Sequence, residues 1–263
     1  MAYLLCLLAG TIAGVSSGLF GIGGGVIIVP FLILAIHYEQ HKAQGTALMG
    51  MMPPVTILAA YTYYMDGKAN LPLGLLIAVG ITLGGIAGSK IALGFSPTTM
   101  RKIFSTFLIL VAIYLFFKVA LLQGAPDKVS ALPGWAWPAC FGIGLFAGTS
   151  GGLLGIGGGI IIVPFLVVAM GFPQHLAQGT SLVALTLPVS GLSAYNYYKK
   201  GNADLKSGAC LAVGLLVGAL FGSMFALGLD PQTMQRTFSG FVIVVASYLF
   251  FKRDPAKAAT AAR

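Results

Sequence analysis

Charged residues are scarce in this chain, and acidic residues are the scarcest. Among 263 residues, 8% are charged, with 15 Lys and Arg against 6 Asp and Glu. Soluble domains carry about 25% charged residues, so the composition excludes an ordinary water-facing surface. Hydrophobic residues make up 57% of the chain, and the mean hydropathy is +0.93. The chain is therefore predicted to lie largely within a lipid bilayer.

Uncharged stretches long enough to cross a bilayer recur along the sequence. About 20 helical residues span the roughly 30 Å hydrocarbon core, and such stretches cover residues 44–64, 71–89, 103–117, 178–198 and 211–229. Their apolar runs are continuous, whereas barrel strands alternate apolar and polar residues. Residues 1–17 lack the positive start of a secretory signal and are predicted to form the first membrane segment. The expected fold class is an all-α polytopic membrane protein.

No carboxylate falls inside a predicted span. The acidic residues lie in loops, at segment edges or in the C-terminal tail, and they are Glu39, Asp66, Asp127, Asp204, Asp230 and Asp254. Because an intramembrane charge is expensive and is kept for function, their positions disfavour a cation substrate and hydrolysis by paired carboxylates. The three cysteines lie in apolar stretches without CxxC spacing, which disfavours a disulfide or metal framework. We therefore expect neither an enzymatic activity nor a cofactor or bound metal.

A glycine-rich sequence occurs twice in the chain. GLFGIGGGVIIVPFL begins at Gly18, and GLLGIGGGIIIVPFL begins at Gly152. The same offset of 134 residues carries HKAQGTAL from His41 onto HLAQGTSL from His175 without a gap. The sequence is thus predicted to be a tandem duplication. Its parts are a membrane repeat at residues 1–122, a linker at 123–134, a second membrane repeat at 135–252 and a C-terminal tail at 253–263.

Each repeat is predicted to contain two short apolar arms around the glycine block, followed by three spanning helices. In repeat one the arms cover residues 3–20 and 26–36, which together are too long for one crossing and short for two. A glycine-interrupted pair in matching positions of both halves is typical of a transporter's binding site. If the arms form a hairpin, the second repeat is inverted. If they form one broken span, the two repeats are parallel.

Positive charge bears on this choice. The net charge of +9 comes from Lys and Arg at segment ends, where they orient a membrane protein rather than bind nucleic acid. In repeat one, four of these residues flank one side and three the other, whereas in repeat two the equivalent sides hold one and seven. The opposite bias favours inverted repeats. Either arrangement places the basic C-terminal tail in the cytoplasm.

The glycine blocks are predicted to bind an anion. Their members are Gly21, Gly23, Gly24 and Gly25 in repeat one and Gly155, Gly157, Gly158 and Gly159 in repeat two. A helix that begins near Gly23 or Gly24 leaves its first N–H groups free, and such a terminus carries about half a positive charge. Glycine also lets a ligand approach the backbone closely. If the repeats are inverted, the two blocks face each other near the midplane. The alternative is that the glycines only permit tight helix crossing.

A second candidate element follows each block at the start of the next span. Its members are Gln44 and Thr46 in repeat one and Gln178, Thr180 and Ser181 in repeat two. Their amide and hydroxyl donors suit an oxyanion, although helix capping explains Thr or Gln at this position equally well. Ser181 aligns with Ala47, so the two half-sites need not be equal. Candidates for additional donors lie just before the blocks, although bonding back to the preceding turn explains them equally well; they are Ser16, Ser17, Thr149 and Ser150.

Other matched residues receive structural interpretations. His41 and His175 are interpreted as interfacial residues near a helix start. The tyrosines that end two spans are interpreted as aromatic-belt residues, and they are Tyr61, Tyr63, Tyr64, Tyr195, Tyr197 and Tyr198. Pro54 and Pro188 are expected to kink their spans. Cys6 and Cys140 are expected to pack, with a thiol or sulfide relay as the weaker alternative.

At these residues the chain resembles the sulfite exporter TauE/SafE family of membrane proteins. The resemblance rests on the doubled glycine-rich sequence followed by AQGTAL and AQGTSL, and it extends over nearly the whole chain. It implies a two-repeat carrier of a small sulfur oxyanion or organosulfonate, such as sulfite or sulfoacetate, in the bacterial inner membrane. The usual family pattern has a Thr-Ser pair that repeat two keeps as Thr180-Ser181, whereas repeat one has Thr46-Ala47.

The mechanism expected from this resemblance is alternating access, with the anion held between the two glycine-rich helix ends. An anion channel of the same fold stays open as an alternative. Coupling to protons is a hypothesis in which the substrate or a histidine carries the proton. The lipid bilayer and the anion are the expected partners, and the sequence leaves open whether the protein forms a homo-oligomer.

Overall fold

The computed structural model describes residues 2–121 and 134–228, and every helix or strand assigned there is an α-helix. Repeat one contains α1 (Ala2–Phe20), α2 (Gly25–Ala35), α3 (Gln40–Gly50), α4 (Ile57–Met65), α5 (Leu71–Ala92) and α6 (Pro97–Leu121). Repeat two contains α7 (Ala136–Leu154), α8 (Gly159–Met170), α9 (Gln174–Thr186), α10 (Gly191–Lys199) and α11 (Leu205–Ala226). The predicted linker up to residue 133, the last predicted span of repeat two and the tail lie outside the described residues.

The fold class predicted from the sequence is confirmed. Four helices, α1, α5, α7 and α11, are long and apolar enough to cross a membrane. Their outer faces carry exposed apolar side chains, such as Leu8, Val79 and Phe221, which suit contact with hydrocarbon. Each helix from α7 to α11 begins 134 residues after its counterpart among α1 to α5. The chain is a multi-pass helical membrane protein in which one pattern of helices occurs twice.

Long helices of different repeats pair through glycines, and this feature did not enter the predictions. Three glycines at intervals of four residues place α1 against α11, so that Gly10, Gly14 and Gly18 meet the backbone at Leu211, Leu215 and Ala219 in that order. The order of these contacts means that the two helices run in the same direction. A Cβ atom on Gly14 would lie 2.5 Å from the Leu215 carbonyl oxygen, so no side chain fits there. Helices α5 and α7 pair in the same way. Close backbone approach of this kind holds membrane helices together without a hydrophobic driving force.

The continuous spans predicted at residues 44–64 and 178–198 are wrong. The chain leaves the helical conformation between Gly50 and Ile57, and again between Thr186 and Gly191. Proline lacks an N–H donor and disfavours the helical conformation in the residue before it. Pro53 and Pro54 therefore end α3 rather than kink it. In repeat two, the extended backbone of Leu187, with φ −67° and ψ 155°, shows the same effect before Pro188.

The arms around the glycine blocks also differ from the prediction. The first arm, α1, is a helix of 19 residues that is long enough to cross a membrane, whereas α2 has only 11 residues. The short elements of repeat one are therefore α2, α3 and α4. Helices α8, α9 and α10 are their counterparts in repeat two.

Candidate anion-binding site

Each glycine block makes a sharp left-handed turn between a long helix and a short one. Gly21, Gly23 and Gly24 have φ angles of +70°, +85° and +78°. The equivalent angles in repeat two are +76°, +77° and +90° at Gly155, Gly157 and Gly158. Because L side chains rarely adopt this conformation, the turn itself requires glycine at these positions. The turn lets α2 begin at Gly25 with Gly24 as its N-cap, close to the predicted start.

The first N–H groups of α2 and α8 are not used within their own helices. The amides of Ile27 and Ile28 lie 3.0 and 3.1 Å from the Gly24 carbonyl oxygen, which is the first acceptor of α2. The amides of Gly25 and Val26 therefore precede the first intrahelical hydrogen bond. At α8 the amides of residues 161 and 162 likewise reach the Gly158 carbonyl oxygen, at 3.0 and 3.4 Å. Each short helix thus presents free donors at the positive end of its dipole.

The two glycine blocks lie against each other in the interior. A Cβ atom on Gly25 would lie 2.5 Å from the Cα atom of Ile156. A Cβ atom on Gly159 would lie 2.6 Å from the carbonyl carbon of Ile22. A side chain at either position would therefore collide with the backbone of the opposite block. The N-termini of α2 and α8 meet at this contact.

The Gln-Gly-Thr segment of each repeat packs on the glycine block of the other repeat. A Cβ atom on Gly21 would lie 2.9 Å from the Cα atom of Gln178. A Cβ atom on Gly155 would lie 2.7 Å from the Cα atom of Gln44. The structure thus brings the predicted glycines and both glutamines together. Because each glycine block packs against a segment of the other repeat, each half-site contains residues from both halves of the chain.

The side chains in the two half-sites are unequal. Ser181 Oγ donates a hydrogen bond to the Gly21 carbonyl oxygen at 2.7 Å, and its counterpart Ala47 has no hydroxyl. Gln44 Nε2 donates to the Leu153 carbonyl oxygen at 3.3 Å. Gln178 Nε2 is buried and finds no hydrogen-bond partner among the described residues. Because an unpaired buried donor costs about 1–3 kcal/mol, the Gln178 amide has unused capacity for a ligand.

The hydroxyls of Thr46 and Thr180 are engaged away from the glycine blocks. Thr46 Oγ1 accepts the backbone N–H of Asp204 at 3.0 Å. Thr180 Oγ1 accepts that of Asn70 at 3.0 Å and donates to the Leu176 carbonyl oxygen at 2.7 Å. Asp204 and Asn70 are the N-caps of α11 and α5. Each threonine therefore fixes the start of a long helix of the other repeat, which positions the Gln-Gly-Thr segment.

The last residue of each helix break also bonds to the short helix that precedes the break of the other repeat, which the sequence interpretation missed. Thr56 Oγ1 donates to the Leu182 carbonyl oxygen at 3.2 Å, and Ser190 Oγ donates to the Leu48 carbonyl oxygen at 3.2 Å. The two donors are equivalent in the repeats, and so are the two acceptors. Broken helices in matching positions are the elements from which many transporters build their binding sites. The prolines in these segments are the sequence feature that could have indicated the breaks, but only a kink is predicted from them.

A small cavity lies beside the second glycine block. Its volume is about 10 Å³, and its lining includes Gly151, Gly157, Ser190 and Ser193. This volume corresponds to roughly one water molecule. A cavity of this volume is too small to hold an anion such as sulfite.

Tyr63 and Tyr197 are wrongly assigned to the aromatic belt by the sequence, because both are 0% exposed. The Tyr63 hydroxyl lies 3.1 Å from the Gly18 carbonyl oxygen and 3.3 Å from Gln178 Oε1. The Tyr197 hydroxyl lies 3.2 Å from the Gly152 carbonyl oxygen and 3.5 Å from Gln44 Oε1. Each tyrosine hydroxyl thus lies between the last helical turn before one glycine block and the glutamine side chain that packs on that block. The other four tyrosines of these clusters are exposed.

Asp204 is held by hydrogen bonds at the start of α11. Its carboxylate accepts the backbone N–H groups of Lys206 and Ser207 and the hydroxyl of Tyr38, the last at 2.6 Å. Burial raises the pKa of the Asp204 carboxyl, but the hydrogen bonds from Tyr38 and Ser207 outweigh it and hold that pKa below its usual value. Burial, followed by the bond to Asp204, raises the pKa of Tyr38 to about 12.

Cys6 and Cys140 lie in separate parts of the core. Cys6 belongs to one buried cluster and Cys140 to another, where its Sγ lies 3.7 Å from Met170 Sδ. A relay between these two thiols would have to bridge the two clusters. Within the described ranges, no group of three or more His, Cys, Asp or Glu is placed to hold a metal ion.

Comparison with known proteins gives a family match and several similar proteins. A sequence model described as sulfite exporter TauE/SafE matches residues 5–143 and again residues 140–263. The chain is 25% identical over 257 residues to probable membrane transporter protein YunE of Bacillus subtilis, covering 90% of this chain and 92% of that protein. It is 29% identical over 266 residues to a probable membrane transporter protein of Haemophilus influenzae, covering 95% and 98%.

Proposed function

Because the chain belongs to the sulfite exporter TauE/SafE family of membrane transporters, we propose that it carries a small anion across the bacterial cytoplasmic membrane. The anion is a sulfur oxyanion or an organosulfonate, such as sulfite or sulfoacetate. It binds where the two glycine blocks meet, to the free N–H groups of α2 and α8 and to the Gln178 amide. The observation that carries this proposal is the direct contact between Gly25 and Ile156 and between Gly159 and Ile22.

The donor set suits an anion that has to be released again. Two helix N-termini, each with about half a positive charge, together offset about one negative charge. The donors are uncharged backbone and amide N–H groups, and hydrogen bonds of this kind are weaker than those from an Arg side chain. Asp204, by contrast, lies at the start of a long helix with its carboxylate already satisfied. These features favour an anion over a cation.

We also infer that the two repeats cross the membrane in opposite directions. Helix α1 ends beside α4, because the Tyr63 hydroxyl reaches the Gly18 carbonyl oxygen, and α5 begins shortly after Tyr63. Helix α5 ends where α3 begins, because His41 Nε2 lies 2.9 Å from the Phe95 carbonyl oxygen. Just before α3, Tyr38 bonds to Asp204 at the start of α11, which runs alongside α1. Helix α5 therefore runs against α1, and α7, which runs with α5, also runs against α1.

Inverted halves that cross at broken helices support alternating access rather than a channel. Each glycine block is covered by the Gln-Gly-Thr segment of the other repeat, so a movement of one repeat against the other uncovers one block at a time. The cavity beside the second block, of about 10 Å³, is too small for an anion to pass and is consistent with a carrier in which the site opens by movement of the repeats. In this proposal the C-terminal tail is cytoplasmic.

The test is a thermal-shift titration of the purified, detergent-solubilised protein against sulfite, thiosulfate, sulfate, sulfoacetate, acetate and chloride. A ligand that binds only the folded state raises apparent stability. We expect selective stabilisation by a sulfur oxyanion or by sulfoacetate. Stabilisation by cations or neutral thiols, with no response to any anion, would overturn the proposed site. Counterflow in proteoliposomes then separates a carrier, which exchanges anions across the membrane, from a channel, which does not.

A further inference from the structure

Two histidines lie at the starts of the short helices α3 and α9, and the anion site does not use them. His41 is in the first turn of α3, and His175 is in the first turn of α9. Each lies three residues before the glutamine that packs on a glycine block. The two occupy equivalent positions in the repeats.

Each histidine ring packs against a buried tyrosine of the other repeat. The ring centroids of His41 and Tyr197 are 6.4 Å apart, and those of His175 and Tyr63 are also 6.4 Å apart. Because each tyrosine hydroxyl lies near the amide oxygen of the adjacent glutamine, a row of polar side chains leads from each histidine to a glycine block. The two rows meet at the contact between the blocks.

The hydrogen bonds of His41 identify the ring nitrogen that is left for a proton. Its Nε2 lies 2.9 Å from the Phe95 carbonyl oxygen, which is only an acceptor, so Nε2 carries a hydrogen. The side chain is 7% exposed, and its Nδ1 is buried with no partner in the part of the chain that the structure describes. Nδ1 of His175 is also buried and has no partner at hydrogen-bond distance among the described residues, although the Gln178 side chain lies near enough to act on this ring. Buried polar atoms of this kind need an explanation, and binding of a proton or a ligand supplies one.

The charged and titratable groups around the two histidines are different. Asp66 and Lys68, in the turn after α4, act on His175 together with Tyr63. His41 faces Tyr197 of α10, and α6, which packs on α3, carries Arg101 and Lys102 near its start. Glu39 and Lys42 flank His41 on its own segment.

We propose that His41 and His175 are the proton-binding groups that couple anion transport to proton movement. This inference rests on the anion-carrier function proposed above. A proton from solution forms an N–H bond at Nδ1 of one neutral imidazole, and the resulting positive charge attracts the anion to the adjacent block. As the anion crosses, one of its oxygen atoms accepts this proton, so that the N–H bond breaks and an O–H bond forms, and the anion then gives the proton to Nδ1 of the other histidine. Release of that proton to the second face completes the cycle, so one proton moves with each anion and no other reactant is consumed.

The experiment uses the full chain in liposomes that contain a pH-sensitive dye. The probe is whichever of sulfite and sulfoacetate gives the larger thermal shift, and protein-free liposomes give the background. With the membrane potential held at zero, one proton per anion predicts about tenfold accumulation for each pH unit across the membrane. We expect His41→Gln and His175→Gln to reduce this accumulation to about onefold and to abolish the dye signal. In both variants anion counterflow and the anion-induced thermal shift should persist, but neither should increase as the pH is lowered, because the charge that attracts the anion can no longer form.

The matched control is His37→Asn. His37 is exposed in the turn between α2 and α3 and has a φ of +60°, which Asn tolerates. This variant should accumulate the anion as the unchanged protein does. Because His41 is buried, its variant is first checked for a cooperative thermal transition, and the less buried His175 provides an independent test. Unchanged accumulation and dye signal in the double variant, with anion binding intact, would overturn the proton role and leave the carrier function standing. If no anion binds to or exchanges through the unchanged protein, both proposals fail.

Discussion

The glycine blocks of the two repeats have the same backbone conformation, yet the side chains that contact them are different. Block one receives a hydroxyl from Ser181 and lies beside the unpaired Gln178 amide. In repeat one the counterpart of Ser181 is Ala47, which has no hydroxyl, and the Gln44 amide is already bonded to the Leu153 carbonyl oxygen. The backbone is symmetric because both halves have to make the same turn and crossing. For the proposed site, the side chains predict that an anion between the blocks is bound asymmetrically, with the side-chain donors of repeat two next to block one.

The largest expected effect comes from disrupting the backbone contact between the two glycine blocks. We expect Gly25→Ala to abolish the anion-induced thermal shift, because the added Cβ would lie 2.5 Å from the Ile156 Cα atom and push the blocks apart. Overpacking of this kind costs about 1–3 kcal/mol. Gly142→Ala in α7 is the control, since its Cβ meets nothing within 4 Å. If Gly25→Ala binds the anion as the control does, the block contact is not the binding site.

The two glutamines test the asymmetry itself. Gln178→Leu removes an amide that is free for the anion, and a hydrogen bond to a charged group contributes about 1.5–3 kcal/mol, so affinity should fall roughly 10- to 150-fold. Gln44→Leu removes an amide that already serves Leu153, so its main effect should be a lower melting temperature. Anion titrations and melting curves of both variants make the comparison. Equal losses of affinity would show that the half-sites bind alike.

Ser181 and Ala47 offer a smaller test of the same difference. Ser181→Ala deletes the hydrogen bond to the Gly21 carbonyl oxygen and should cost about 1 kcal/mol. For a protein of this size that loss lowers the melting temperature by about 2–4 °C. The variant then has alanine in both repeats, so the effect measures what the serine adds to block one. A melting temperature equal to that of the unchanged protein would mean that this bond adds nothing.

The smallest expected effect on the melting temperature concerns the N-caps Asp204 and Asn70, and it should appear only at acidic pH. Because the pKa of Asp204 is lowered in the folded state, its contribution to stability is complete above the unfolded value of about 4. That contribution is lost as the pH falls through the lower, folded value, since the unfolded chain binds the proton first. The substitution Asp204→Asn places asparagine at the N-cap of α11, as Asn70 is at the N-cap of α5. Its melting temperature should fall less steeply than that of the unchanged protein between about pH 5 and pH 3, and identical slopes would contradict the assignment.

The sequence could name the glycine blocks because a duplicated cluster of glycines indicates backbone requirements without knowledge of its neighbours. It could not show that Gly21 packs on Gln178 and Gly155 on Gln44, because contacts between repeats leave no local signal. The helix breaks were misjudged since a single proline in a membrane helix often only bends it, whereas Pro53 and Pro54 together remove two donors. Tyr63 and Tyr197 were misplaced because their spacing matches that of exposed tyrosines beside them.

The pairing of α1 with α11 has a consequence for the biosynthesis of the protein. Gly10 and its contact Leu211 are separated by 201 residues, because 211 − 10 = 201. At a synthesis rate of about 5–20 residues per second, the glycine face of α1 waits roughly 10–40 s for its partner. During that time repeat one has to remain in the membrane with an open packing surface. Its stability before α11 arrives then depends on contacts within repeat one and on whatever the membrane places against that surface.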